Sequence, residues 1–122
     1  MYAEIKLKTA EGGERTVGMM ANAAIPIRYR NIFRKDLMAD LTKMISDPES
    51  LNADAMNGIT DMVPQLAFVM AMAADKRDMK ILSYEMFIEW MEQFSAEAFT
   101  DKSAEIIGIY FGNTGSESEA KN

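Results

Sequence analysis

Three carboxylates, Glu85, Glu89 and Glu92, recur at i, i+4 and i+7 of one apolar-rich stretch, the spacing closest to a chemical constellation in this chain. Paired carboxylates hold a metal or exchange protons only where burial and converging partners perturb them. With Ser83 capping a helix ahead of them, they fall on the polar face of an ordinary amphipathic helix, and that structural reading is preferred. The dense basic run is Arg28, Arg30, Arg34 and Lys35. At helical spacing Arg30 and Arg34 share a face, whereas Arg28 does not align with Arg30. The run reads as a docking patch for an acidic partner or for another copy of this acidic chain. The more ordinary reading is a solvated face paired with Asp36, Asp40 or the acidic tail. Trp90, Phe87, Phe94 and Phe99 form the main aromatic group. Such residues anchor interfaces, but more often cores, and core packing is expected here. Gly12-Gly13 lacks the spaced glycines and following helix of a phosphate loop and reads as a turn.

Methionine is the other unusual residue, with 12 in the chain. Its unbranched, polarisable side chain suits surfaces that adapt to a partner as well as irregular core gaps. Met62, Met70 and Met72 are expected to fill the core. Met19, Met20, Met79 and Met86 are the candidates for an adaptable surface. Histidine and cysteine are absent altogether, which excludes a disulfide, a Cys/His zinc site, a thiol nucleophile and a Ser-His-Asp triad. No strong catalytic motif is present. No enzymatic activity, cofactor, metal or catalytic residue is expected.

A length of 122 residues fits one domain with a modest core. Hydrophobic residues make up 48% and charged residues 26%, which argues against disorder along the whole chain. Thirteen basic against nineteen acidic residues leave a net charge of -6. Nucleic-acid binders need a basic face to displace counterions, so no nucleic-acid partner is expected. The start Met1-Tyr2-Ala3-Glu4-Ile5-Lys6 lacks the apolar region of a signal peptide. The longest apolar run, Leu66 to Ala74, is shorter than the ~20 residues a bilayer requires. A soluble, intracellular protein without a membrane partner is expected.

Several elements must position these residues. Ala3, Ile5 and Leu7 alternate with Glu4, Lys6 and Lys8, a strand period. Gly12-Gly13 supplies the positive φ angles of a tight hairpin turn, and Arg15 to Met20 returns antiparallel with Val17 and Met19 on one face. Asn22 suits the N-cap of a first helix, with Pro26 in its opening turns. Phe33, Leu37, Leu41, Met44 and Ile45 recur at helical spacing up to Asp47-Pro48, as one long helix or as two broken near Arg34. A polar connection over Pro48 to Asn57, with some residual helical tendency, leads to a helix capped by Asp61, with Pro64 in its first turn. That helix, through Leu66 to Ala74, is apolar all round and is expected to be covered on most sides. Asp75-Lys76-Arg77-Asp78 ends it. Ser83 caps a fourth helix running toward Phe94. A fifth begins near Asp101, carries Ile106, Ile107, Ile109, Tyr110 and Phe111, and stops at Gly112-Asn113. The Ser/Glu-rich remainder reads as disordered.

The stretch Ile27-Arg28-Tyr29-Arg30-Asn31-Ile32-Phe33 followed by Asp36-Leu37 resembles the first helical region of the tail assembly chaperones of long-tailed bacteriophages and prophages. The N-terminal strand pair, the central Ala/Met-rich helix and Tyr84-Glu85-Met86-Phe87-Ile88-Glu89-Trp90 agree with it. So do the Gly-Asn-Thr stop and the Ser-rich end. The resemblance covers most of the chain in order, through short and degenerate motifs. It implies a protein that coats the tape measure protein before the tail tube polymerises, binds further copies of itself and, as a further expectation, meets the tail tube protein. It implies residence in the host bacterial cytoplasm and absence from the mature virion. It carries no catalytic residues over to this chain.

The fold expected is mainly α. Four to five helices would pack round a central apolar helix, in a single domain over residues 1–112 with a β-hairpin at about 2–20 and a disordered tail at 113–122. The candidate partner-binding residues are Met19, Met20, Arg28, Arg30, Arg34, Met79 and Met86. Alternatives to a chaperone are a small structural virion component, such as a connector or tail-completion protein, and a DNA-binding regulator using Arg28 to Lys35.

Overall fold

A computed structural model describes residues 1–46, 53–76 and 81–112, with side chains described at all of these except 43–46 and 53–61. The residues expected to form a disordered tail, 113–122, lie outside the described residues, as does Met79. The chain begins with two strands, β1 (Tyr2–Lys8) and β2 (Glu14–Met20), and continues as helices. These are α1 (Ile25–Phe33), α2 (Leu37–Ser46), α3 (Ala53–Ala74), α4 (Tyr84–Met91), α5 (Ala98–Asp101) and α6 (Ser103–Phe111). A helical majority behind an N-terminal antiparallel hairpin is what the periodicities predict.

The hairpin pairs Ile5 with Val17 and Ala3 with Met19. Strand alternation then puts Ile5, Leu7, Val17 and Met19 on one buried face, with Glu4, Lys6, Lys8 and Thr16 exposed. The turn differs from the tight one expected. It spans Thr9 to Gly13, closed by the Thr9 N–H on the Gly13 carbonyl (2.9 Å) and the Gly13 N–H on Thr9 Oγ1 (3.0 Å). Of its two glycines only Gly12 has a positive φ, 100°. Gly18 lets the Tyr2 side chain lie across it; a Cβ there would push the exposed Tyr2 ring aside. Beyond the turn, the edge of β1 is covered by a later segment. The Ala10 N–H donates to the Gln93 carbonyl and the Ser95 N–H to the Lys8 carbonyl, both at 3.0 Å, and Thr9 bridges Phe94.

Asn22 does not cap the first helix directly. Its Oδ1 accepts from the Ala24 N–H (2.9 Å), stabilising a turn that delivers the chain to Ile25 and Pro26. The break near Arg34 resolves as two helices. Arg34 adopts a left-handed conformation (φ 60°), and its N–H closes onto the Arg30 carbonyl as a C-cap. Asp36 starts the next helix by accepting from the Ala39 N–H at 3.1 Å. The expected N-cap at Asp61 is wrong: α3 begins at Ala53, so Asp61 and Pro64 are interior. An interior proline removes one helical hydrogen bond, at a cost of ~3 kcal/mol relative to alanine. Burial of every residue from Met62 to Met72 outweighs that local preference.

Ser83 caps α4 as expected, with its Oγ accepting from the Met86 N–H at 3.3 Å. The helix ends at Met91, short of Phe94, which instead takes part in the bridge to Thr9. A short helix not anticipated, α5, precedes α6, and Gly112 (φ 76°) ends α6 as expected. The core forms round α3, which packs against β2, α1, α2, α4, α5 and α6. An aromatic chain runs through it, from Phe33 to Phe87 (5.1 Å between ring centres), Phe68 (5.5 Å), Trp90 (5.6 Å) and Phe94 (4.9 Å). The core role expected of Trp90, Phe87, Phe94 and Phe99 holds. Buried Gln65 accepts from the Tyr29 hydroxyl at 3.2 Å, so the amide oxygen enters the core with a partner. No helix among the described residues is long and apolar enough to cross a membrane.

Candidate interaction surface

Helix α4 is apolar on more of its circumference than one core contact requires. Phe87 and Trp90 point into the core, while Tyr84 and Ile88, one turn apart, remain 52% and 36% exposed. The Tyr84 ring lies against those of Phe33 (6.1 Å) and Phe87 (5.7 Å). Beside it stand Glu85, Glu89 and Glu92, all exposed and without an ion pair among the described residues. The polar-face reading of these carboxylates agrees with their exposure, and no group of three or more acidic residues is gathered as a metal site among the described residues.

On its other flank α4 borders a cleft of about 180 Å³ lined by Phe68 and Met72 of α3 and by Met86, Glu89, Trp90 and Gln93. A second depression of about 320 Å³ shares Met72, Trp90 and Gln93 and continues to Arg15, Thr16, Val17 and Gly18 of β2. A hydrogen bond from the Arg15 guanidinium to the Gln93 side chain links its two walls. Two flexible thioethers, Met72 and Met86, thus flank the Trp90 ring along a groove that side-chain rotation can reshape.

The seven candidate residues scatter. Met86 is half-buried in the cleft wall, where an adaptable contact is possible. Met20 is half-buried at the end of β2. Met19 is 0% exposed and belongs to the core, which corrects its assignment to a surface: strand alternation places it beside Val17, on the face that α3 covers. Arg28 is half-buried and Arg30 and Arg34 are exposed. The helix break corrects the shared face expected of Arg30 and Arg34, because Arg34 sits in a left-handed cap outside the helix. None of the three forms an ion pair among the described residues, so pairing with Asp36 or Asp40 is not found. Ile27, 51% exposed, stands among them on the outward side of α1.

A separate groove of about 340 Å³ lies between Met1, Ala21, Met38, Tyr110 and Phe111. There the Tyr110 hydroxyl donates to Met38 Sδ at 3.4 Å, and burial raises the Tyr110 pKa above its ordinary 10.0. The Tyr2 pKa is also raised, chiefly because its hydroxyl donates to the Glu4 carboxylate at 3.0 Å. Both shifts favour the neutral phenol, so neither tyrosine is activated as a base or nucleophile. Sequence reasoning missed Ile27, Met38, Tyr84 and Ile88 as exposed apolar residues. The angular position of Tyr84 and Ile88, turned away from Phe87 and Trp90 on a helical wheel, is the signal that distinguishes them. Compared with known protein families, curated proteins and solved structures, the chain matches none.

Proposed function

We propose that this chain is a non-catalytic tail assembly chaperone, which binds the tape measure protein and further copies of itself during phage tail morphogenesis. The reading rests on the resemblance carried by Ile27 to Leu37 and Tyr84 to Trp90, and one observation gives it a physical site. The Met72–Met86 cleft over Trp90 lies on one flank of α4, with the exposed Tyr84–Ile88 stripe on another. A long amphipathic client presents apolar side chains at i, i+3, i+4 and i+7, which dock helix-in-groove against such a surface. Methionine walls accept successive, non-identical segments of that client, and repetition along its length supplies avidity from weak contacts. A transient contact with the tail tube protein follows from the same role. The protein acts in the bacterial cytoplasm and leaves before the virion is complete.

Co-expression tests this directly. The tape measure protein encoded beside this chain should stay in the soluble fraction when the chain is present and should precipitate without it. Met86→Asp, which puts a charge into the cleft wall, should lose the effect while the variant itself stays folded. A tape measure protein equally insoluble with and without the chain would overturn the reading.

A further inference from the structure

The two edges of the hairpin are protected unequally. Met1 and Ala21 exchange hydrogen bonds (2.7 and 2.8 Å), and the register carries that pattern to Ala3–Met19, Ile5–Val17 and Leu7–Arg15. The residues between them turn their amides and carbonyls outward: Tyr2, Glu4, Lys6 and Lys8 on β1, and Glu14, Thr16, Gly18 and Met20 on β2. On β1 that edge is guarded. Ser95 takes the Lys8 carbonyl, and Glu4, Lys6 and Lys8 set charges along the strand. On β2 nothing among the described residues pairs with Thr16, Gly18 or Met20, and none of the three is charged. The depression of about 320 Å³ follows this edge, with Arg15, Thr16, Val17 and Gly18 as one of its walls. Ala71, Met72 and Ala74 of α3 and the Trp90 ring line it as well, and the two small alanines leave room beside the strand.

Unpaired amides and carbonyls in a row beside such a depression are complementary to an extended backbone. We propose that the outer edge of β2 takes up an extended segment of a partner chain as a third strand, with alternate apolar side chains seated over Ala71, Met72 and Trp90. Arg15 adds a charge preference. Its guanidinium is hydrogen-bonded to Gln93 but has no carboxylate partner among the described residues, so an acidic residue beside the apolar ones fits there. A second copy of this chain does not meet these terms. Its strands have Ile5, Leu7, Val17 and Met19 committed to their own core and bring no free apolar side chain to the depression. The partner is the client of the function above, caught while extended, and only its identity rests on that reading. The depression shares Met72 and Trp90 with the cleft, so one client can pass from strand edge to groove.

A synthetic peptide tests this with no tape measure protein present: about seven residues alternating valine and threonine, with an aspartate at one end and both termini blocked. Added to the purified full chain, it should slow hydrogen exchange at the Thr16, Gly18 and Met20 amides by about tenfold or more, leaving those of Glu4 and Lys6 unchanged. Alternate peptide amides face opposite edges, so N-methylating the valines and N-methylating the threonines should differ, one abolishing the effect and the other sparing it. Thr16→Pro removes an outward donor and no ladder hydrogen bond, so the variant should fold and bind the peptide about tenfold more weakly. Circular dichroism checks its folding; if it does not fold, Met20→Lys, which sets a charge on the edge, takes its place. Exchange indifferent to the peptide, equal effects of the two methylations, or a folded variant that binds as well as the wild type would each overturn the proposal. So would protection of the same amides on concentrating the chain alone, which marks a second copy on the edge. Those outcomes leave the co-expression result standing, whereas a chain that binds the peptide but leaves the tape measure protein insoluble fails only the reading above.

Discussion

Helices α3 and α4 are both rich in apolar side chains and both carry methionine, yet their surroundings differ. Every residue of α3 from Met62 to Met72 is buried, with strands and helices packed around it. On α4 only Phe87 and Trp90 are buried, while Tyr84 and Ile88 stand in the open beside unpaired carboxylates. Apolar content alone therefore does not separate core from docking surface. What separates them is whether the fold supplies a neighbour for each side of the helix. On α3 a lost side chain leaves a hole; on α4 a lost outward side chain leaves the fold intact and removes a contact to something else.

Substitutions can break that contrast or sharpen it. The largest effect is expected at Phe68, which touches the Phe33, Phe87 and Trp90 rings. Phe68→Ala should cost ~3–5 kcal/mol, read as a lower urea midpoint, and a loss below ~1 kcal/mol would mean that α3 is not the packed centre. Next, Tyr29→Phe strands the buried Gln65 oxygen and should cost ~1–3 kcal/mol; pairing it with Gln65→Leu should recover part of that loss. On the α1 side, Arg34→Gly relieves a left-handed backbone of ~1 kcal/mol and should raise the melting temperature. Ile88→Ser should have the smallest effect on stability, within about 1 kcal/mol, with its main consequence in how much tape measure protein stays soluble on co-expression.

A pH scan adds a slight effect of known sign. Burial raises the Tyr110 pKa, so the unfolded chain, near 10.0, gives up its proton first. Below that pH the phenol is neutral in both states and its contribution is complete. Stability should then decline as pH rises through the folded value, and Tyr110→Phe should flatten the decline in an alkaline melting series.

Much of the architecture is legible in the sequence because local chemistry and tertiary packing agree there. The alternation of Ile5 and Leu7 with Lys6 and Lys8, the cap at Ser83 and the stop at Gly112 each carry their own signal. Disagreement appears where packing outvotes local preference. Pro64 reads as a helix start, yet burial carries α3 through it. Arg34 has no intrinsic liking for a left-handed angle, so the sequence is equally compatible with one continuous helix. The interaction surface was less legible still. Residue type singles out Met86 and Met19 alike, yet Met86 is half-buried at the cleft wall and Met19 lies in the core, because methionine gives no sign of which way it faces. The apolar content of this helix does not single out Tyr84 and Ile88; their angular position, away from Phe87 and Trp90, does. The positions of the neighbouring elements then decide which of the two sides is covered.

The seal on the hairpin bears on the order of folding. The turn end of β1 is completed by Gln93, Phe94 and Ser95, and Arg15 reaches Gln93 across 78 positions of chain. A two-stranded ribbon alone is marginal in water. During synthesis the first twenty residues therefore emerge well before the segment that secures them. Closing so wide a loop is slow compared with forming a helix, because its entropy is lost before any contact rewards it. Helices α1 and α3 can form as they appear, and α3 covers the inner face of the strands, but the turn end of β1 waits for residues 93–95. A nascent chain halted before residue 93 should leave the Ala10 amide open to hydrogen exchange, and a chain extended beyond residue 95 should protect it.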